Sequence, residues 1–322
     1  MSEVVENLKN IWRRFRQSRW YRISELAVLS ACFALMLYVL TKNFSKIDLS
    51  SFHFDTISLL IAVVFTLIAV WLGALSWAQI LRAIQPQFSY SASIRSHMLS
   101  IPTKYLPGLG WQQVSKVIQI RKERGSLQTT TSAVIVEFVL VISTGLATAT
   151  AIVLATQQEV FGFILPVAWS IGFEILFLAT CFAIPICWAL FQLRQLNFKL
   201  NLVSYSCRMI ATMLIQVIGW IFFGTALWFV CYSIYPIGIE ILPHFTTSLI
   251  LSVVIGILVI VSPNGLGVRE LIMVAFLQRY VPVQIALAVS VMSRFVLVLA
   301  EILGALPFII ERYVHNIKAK AN

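Results

Sequence analysis

Four ionisable residues lie inside long apolar runs, where they could line a polar path or hold an ion. They are Glu137, Glu174, Arg294 and Glu301, and the first three lie about ten residues into their runs. A charge at the centre of a bilayer costs at least ~2.5–3.5 kcal/mol, so such residues face the protein interior and have partners. We predict that Arg294 forms a network with Glu137 or Glu174. Arg294 and Glu301 are seven residues apart and share a helix face. The alternative is a structural ion pair that fixes helix packing.

The segment 261–271, VSPNGLGVREL, interrupts two apolar runs and carries two charges. Its proline ends the preceding helix, and its asparagine and glycines permit a tight turn. A new helix is predicted to start near Val268, with its free N–H groups and positive dipole end directed at the break. Such a terminus can bind a phosphate or a lipid head group. The alternative is a tight turn whose charges lie at the water interface. The candidate substrate-binding residues here are Pro263, Asn264, Gly265, Gly267, Arg269 and Glu270.

A second candidate segment is the connection 82–126, which mixes apolar and basic residues and contains LPGLG. We predict that it is an interfacial or re-entrant segment. Its LPGLG is similar to the later PNGLG, either as the trace of an internal duplication of the kind that transporters show or because two short Gly/Pro stretches match by chance. The candidate substrate-binding residues in this segment are Lys104, Pro107, Gly108 and Trp111.

The composition predicts that these residues belong to an all-α, polytopic transmembrane helical bundle. Of 322 residues, 59% are hydrophobic and 11% are charged, and the mean hydropathy is +0.89. A spanning helix needs about 20 mostly apolar residues. We predict about eight crossings, some short, broken or re-entrant. The predicted spans are 23–41, 56–81, 127–155, 163–190, 206–232, 244–262, a short segment 268–281, and 283–310.

The distribution of basic residues predicts the orientation of the chain in the membrane. The N-terminus and alternate loops hold 16 Lys and Arg, against 2 in the other loops. The excess of basic residues marks the cytoplasmic side, so both termini are predicted to be cytoplasmic and the protein to be a multi-pass inner-membrane protein. The predicted divisions are a basic amphipathic segment (1–22), one transmembrane domain (23–312) and a basic tail (313–322). The first segment either lies on an anionic leaflet or is a plain positive-inside anchor.

Several function classes find no support in the sequence. The basic residues lie between apolar runs and not on one binding face, so we predict no nucleic-acid partner. The histidines and cysteines lack metal-ligand spacing, and we predict no metal and no cofactor. There is no Walker loop, G-x-S-x-G or H-E-x-x-H motif, so we predict no catalytic residues and no enzyme. The four histidines are His53, His97, His244 and His315.

The chain resembles the lysylphosphatidylglycerol synthase transmembrane-region family, which is related to the flippase half of the bacterial multiple peptide resistance factor. SIPTKYLPGLGWQQVSKVIQIRKERG is similar to the family's K-Y-x-P-G-x-x-W and the basic stretch after it. VIVEF places Glu137 in the next span, as the family does. SPNGLGVREL is similar to P-G-G-x-G-x-x-E, and the following span contains Arg294. The resemblance covers about 95 to 305. Where the family usually has Gly–Gly, this chain has Asn264–Gly265, and asparagine tolerates the same left-handed backbone.

The resemblance implies lipid handling, and not aminoacyl transfer, because these residues contain no soluble lysyl-transferase domain. We expect the protein to bind an anionic phospholipid or a polyprenyl-phosphate-linked molecule and to move it between leaflets. The alternative is a non-transporting partner of a glycosyltransferase or a lipid-synthesis enzyme. An intramembrane lipid-modifying enzyme is a third class, for which the sequence shows no nucleophile–base pair.

Overall fold

The computed structural model describes residues 54–105, 110–156, 202–258 and 267–321, and these form helices joined by short turns. Two 3-10 helices cover Ile101–Tyr105 and Ile239–Ile241. No strand occurs within the described ranges, which confirms the predicted all-α class. The α-helices are α1 (Thr56–Ile84), α2 (Tyr90–Ser100), α3 (Trp111–Lys122), α4 (Leu127–Thr156), α5 (Leu202–Tyr232), α6 (Leu242–Leu258), α7 (Val268–Leu277) and α8 (Val283–Ala321).

Five of these helices are long and apolar enough to cross a bilayer, as a multi-pass membrane protein requires. They are α1, α4, α5, α6 with the 3-10 turn before it, and α8 up to Arg312. Each corresponds to a predicted span. The spans predicted at 23–41 and 163–190, and the segment 1–22, lie outside the described residues, so about eight crossings stays a prediction.

The long helices α1 and α5 pack against each other in antiparallel directions and define the two faces of the bundle. At one end, the Asp55 N–H donates to the Ser233 carbonyl at 2.8 Å. At the other end, Arg208 Nη1 donates to Gln79 Oε1 at 3.1 Å. We call these ends the Asp55 face and the Arg208 face. The positive-inside rule predicts the Arg208 face to be cytoplasmic.

Helices α2 and α3 form a hairpin, here the first hairpin, that enters from the Arg208 face and returns to it. Tyr90 at the start of α2 accepts a hydrogen bond from Arg208 Nη1 at 3.2 Å. Further along α2, Ser96 accepts a hydrogen bond from Trp77 Nε1 at 2.9 Å, and Met98 packs against Val70. Because Val70 is at the middle of α1, the tip of this hairpin lies about halfway through the bundle. The connection 82–126 is therefore re-entrant relative to α1, as the sequence predicts.

Helices α6 and α7 form the second hairpin, which enters from the Asp55 face and returns to it. The rings of His244 at the start of α6 and Tyr280 after α7 are 4.4 Å apart. Helix α7 has 10 residues and is about 15 Å long, so it does not cross a ~30 Å hydrocarbon core. The short segment predicted at 268–281 is thus the returning arm of the hairpin, which carries the chain back to the face where α8 starts. The entering arm α6 has the length of a span, but Val254 near its end meets Gly145 near the middle of α4, so the hairpin reaches about half-depth.

The described helices show the same order twice, in opposite orientation. A long helix, a half-depth hairpin and a second long helix occur as α1, α2–α3, α4 and again as α5, α6–α7, α8. The two hairpins enter from opposite faces. In each, the second arm starts after a glycine with positive φ, Gly110 at 73° and Gly267 at 83°, and both glycines end a Gly-Leu-Gly sequence. This is the arrangement of an inverted repeat, whose centre lies at mid-depth.

The second hairpin packs against α5 at a glycine that admits no side chain. A Cβ at Gly224 would lie 2.2 Å from Thr246 Oγ1 and 2.5 Å from its Cβ, both on the buried side of α6. We expect Gly224→Ala to destabilise the protein by about 1–3 kcal/mol, since overpacking forces the helices apart. Thermal unfolding in detergent measures it. Gly73→Ala is the control, because its Cβ would meet nothing within 4 Å. Equal stability of the two variants would contradict the close contact.

Candidate functional site

The tip of the first hairpin presents two polar side chains to α8. Lys104 Nζ binds Glu301 Oε1, and the Tyr105 hydroxyl donates to Glu301 Oε2 at 2.7 Å. Glu301 is 5% exposed, so its charge is compensated inside the protein. Burial and the Glu301 charge raise the pKa of Tyr105, which therefore stays protonated and keeps donating. The predicted site residues Lys104 and Glu301 thus form one pair.

The tip of the second hairpin presents a matching pair, two turns earlier on α8. Arg294 Nε binds Glu270 Oε1, and Glu270 Oε2 accepts the Gly267 N–H at 2.7 Å. The Glu270 carboxylate thereby caps the N-terminus of α7. The helix does begin at Val268, as the sequence predicts, but its first N–H group is occupied. A ligand here would bind through the arginines and not through an empty helix terminus.

Two guanidinium nitrogens in this region have no hydrogen-bond partner among the residues that the structure describes. They are Arg269 Nε and Arg294 Nη2, and both are inaccessible to solvent. The two arginines line a small cavity together with Thr66 and Ser293, and apolar residues of α5, α6 and α8 complete its wall. A buried donor without a partner costs about 1–3 kcal/mol, more for a charged group, so these nitrogens favour any acceptor that reaches them.

Electrostatics join the two pairs and Arg269 into one site, here called the central cluster. Its charged members are three cations and two anions, which leaves a net charge of +1. Arg269 is buried beside Arg294 and remains cationic, because arginine keeps its proton inside proteins. Burial lowers the pKa of Lys104, and Glu301 opposes that shift. The charged members of the central cluster are Lys104, Arg269, Glu270, Arg294 and Glu301.

A third buried ion pair lies nearer the Arg208 face and joins the first hairpin to α4. Lys116 Nζ donates to Glu137 Oε1 and Oε2 at 2.6 and 2.7 Å, and the ammonium lies 4.6 Å from the centroid of the Trp77 ring. The sequence does not predict that Lys116 is buried, because Lys116 is one of several lysines and arginines in a basic connection. The sequence did contain an indication that Lys116 faces the interior, because Lys116 and the apolar Ile120 are four residues apart and so lie on one face of α3.

The charge pairs differ in part from those expected. Pairing of Arg294 with Glu137 is wrong, because Glu137 binds Lys116 and Arg294 binds Glu270. The second hairpin brings Glu270 of α7 to Arg294 of α8. Glu137 lies on the side of the first hairpin that faces away from Arg294. Trp111 is the first residue of α3, close to the tip. The following predicted site residues lie outside the described residues: Pro107, Gly108, Glu174, Pro263, Asn264 and Gly265.

Comparison with known proteins identifies one matching family. No curated protein matches the chain. The family model described as "Lysylphosphatidylglycerol synthase TM region" matches residues 22–304, which include both hairpins, the central cluster and the Lys116–Glu137 pair. The match extends over most of the chain, and it makes the protein a membrane protein associated with lipids. The chain belongs to the lysylphosphatidylglycerol synthase transmembrane-region family.

Proposed function

We propose that this protein binds an anionic lipid at the central cluster and moves it between the two leaflets of the inner membrane. The cargo is a phospholipid or a polyprenyl-phosphate-linked molecule, and the shared feature is a phosphate group on an apolar chain. The Arg208 face is the cytoplasmic side in this proposal. The protein needs no catalytic residue and no cofactor for this activity, because no covalent bond changes.

One observation carries the proposal: half-depth hairpins from opposite faces meet at a cluster with a spare positive charge. Each hairpin offers a route from one face to mid-depth, and α8 connects their tips through Arg294 and Glu301. Irregular backbone at membrane depth persists where it is buried in protein or lines a cavity. Binding sites at the centre of inverted repeats are the common arrangement in transporters.

The charge balance of the cluster favours an anion over a neutral lipid. Lys104 and Arg294 are engaged by Glu301 and Glu270, which leaves Arg269 to supply the extra charge. Its unpartnered Nε and the free Arg294 Nη2 can both donate to phosphate oxygens. Arginine binds phosphate with two parallel hydrogen bonds, and such charge-assisted bonds are about twice as strong as neutral ones.

The test is mass spectrometry of the lipids that remain bound to gently purified protein, wild type beside Arg269→Ala. We expect wild type to retain one class of anionic lipid above its share in the membrane, and Arg269→Ala to lose about tenfold or more of it. Loss of hydrogen bonds to a charged group, about 1.5–3 kcal/mol each, gives that magnitude. Phospholipid and polyprenyl phosphate differ in mass, so the same spectrum separates the two sources.

The matched control is Arg95→Ala, which also removes an arginine from a hairpin. Arg95 binds Glu311 at a partly exposed position and lies outside the central cluster. We expect it to retain the lipid as wild type does. Bulk membrane lipids in all three samples would contradict the proposal and favour a non-transporting partner of a glycosyltransferase or a lipid-synthesis enzyme.

A further inference from the structure

A buried histidine adjoins the Lys116–Glu137 pair and takes no part in the central cluster. His97 lies on α2 with its side chain 12% exposed, and its Nδ1 is 3.7 Å from Glu137 Oε1. That nitrogen is inaccessible to solvent and has no hydrogen-bond partner in the described parts of the chain. A carboxylate within reach of an unpartnered imidazole nitrogen is the geometry that accepts a proton, since the resulting N–H would donate to Glu137.

Charged groups surround the imidazole on several elements. Lys116 comes from α3, Glu137 from α4 and Lys104 from the first 3-10 helix. Helix α8 contributes Glu301, which is bound to Lys104, and Glu311, which is bound to Arg95 of α2. From α1, the Trp77 indole lies beside Lys116, and Arg82 lies over the Tyr90 ring at the start of α2.

The Glu137 charge is matched by Lys116, and Lys104 adds a further positive charge to the surroundings of His97. His97 is on α2, outside the five helices that are long enough to span a bilayer. Burial, followed by the charges of Lys116 and Lys104, lowers the pKa of His97 well below its ordinary value. The imidazole is therefore neutral at neutral pH when the central cluster is empty.

Lys104 belongs to both environments and connects them. On the chain between them, Ser100 Oγ donates to the His97 carbonyl and Thr103 Oγ1 donates to the Ser100 carbonyl, each at 2.6 Å. These bonds hold His97 and Lys104 in a fixed relation along the hairpin tip. An anion bound beside Lys104 would cancel part of the positive potential at His97 and so favour its protonation.

We propose that His97 is a proton-binding site coupled to the central cluster, so that an anion and a proton bind together. The proton adds to Nδ1 and is held by Glu137, and it leaves when the anion leaves. By reciprocity, the affinity for the anion rises as pH falls, down to the pH at which His97 is protonated in the empty protein. The nature of the anion rests on the proposed function, whereas the coupling to Lys104 does not.

The test measures the proton affinity of His97 by nitrogen NMR of the full chain in detergent, with imidazole-labelled histidine. His97→Gln assigns its signal among the four histidines. We expect Lys104→Gln to raise the proton affinity of His97 by about fivefold or more, the usual size of a coupling between sites. Arg95→Gln is the control, since Arg95 is also on α2 but is partly exposed and paired with Glu311 of α8. The proposal would be overturned if Lys104→Gln left the proton affinity of His97 unchanged, or if Arg95→Gln changed that affinity equally.

Lys104→Gln leaves Glu301 without its cation and could misfold, so a second variant keeps the proposal testable. The double variant Lys104→Gln with Glu301→Gln removes the ammonium without an unpaired buried carboxylate, and the same direction of shift is expected. Dioctanoylphosphatidylglycerol added to wild type should also raise the proton affinity of His97, and dioctanoylphosphatidylcholine should not. If Lys104→Gln raises the proton affinity of His97 and phosphatidylglycerol does not, the coupling of His97 to Lys104 is supported. Phosphatidylglycerol is then not the anion of the proposed function.

Discussion

Arg294→Gln is expected to abolish lipid movement in proteoliposomes, measured by the loss of fluorescent phosphatidylglycerol from the leaflet that a quencher reaches. Arg294 Nη2 is an unpartnered donor at the cavity, and its Nε holds Glu270. The substitution removes a phosphate donor and lowers the net charge of the central cluster from +1 to 0. We expect the transport rate to fall at least about tenfold, because a lost hydrogen bond to a charged group costs about 1.5–3 kcal/mol.

The double variant Arg294→Gln with Glu270→Gln separates a role in binding from a structural ion pair. Arg294→Gln alone leaves Glu270 buried without its cation, which is destabilising by about 3–5 kcal/mol when a buried pair is broken. The double variant removes both charges and should unfold at nearly the wild-type temperature. If Arg294 binds the cargo, this stable variant still transports no lipid. Wild-type transport by the double variant would show that the pair only fixes helix packing.

Lys116→Met is expected to cause a large loss of stability. Lys116 is 2% exposed and donates to both oxygens of Glu137, so the substitution leaves a buried carboxylate unpaired. We expect the free energy of unfolding to fall by about 3–5 kcal/mol, the usual result of removing one partner of a buried ion pair. Thermal unfolding of purified protein in detergent, with tryptophan fluorescence as the signal, measures this loss.

The control for Lys116→Met is Arg95→Met, which breaks the partly exposed pair with Glu311. Exposed pairs contribute about 0–1 kcal/mol, so this variant should unfold close to wild type. Lys116→Met combined with Glu137→Gln should recover most of the stability, since no unpaired charge remains. Equal losses for Lys116→Met and Arg95→Met would contradict the burial of the Lys116–Glu137 pair.

The elements that the sequence predicts correctly depend on local properties of the chain. Spans such as 127–155 follow from runs of apolar residues that are long enough to cross a bilayer. The start of α7 at Val268 follows from the turn-forming residues before it, because a glycine at positive φ ends one conformation and permits the next. The re-entrant character of 82–126 follows from apolar residues mixed with basic ones and interrupted by glycine and proline.

The charge pairs could not be predicted, because they depend on which helices meet. Lys104 and Glu301 are 197 residues apart, and Glu270 and Arg294 meet only because α7 returns beside α8. The burial of Lys116 is the feature that the sequence least indicates. Its segment has the composition of a water-facing basic loop, and only the folding of the first hairpin against α1 and α4 removes it from water.

The sequence by itself determined that this is a helical membrane protein, where its long apolar helices lie, and that Glu137, Arg294 and Glu301 must be compensated inside it. Hydropathy and turn chemistry act over a few residues, so they can be read without a fold. The tertiary structure decided that two hairpins from opposite faces meet at α8, that Arg269 is left as the unbalanced charge, and that His97 faces Glu137. Those facts depend on long-range packing, in which a buried charge binds the partner that the surrounding helices bring within reach.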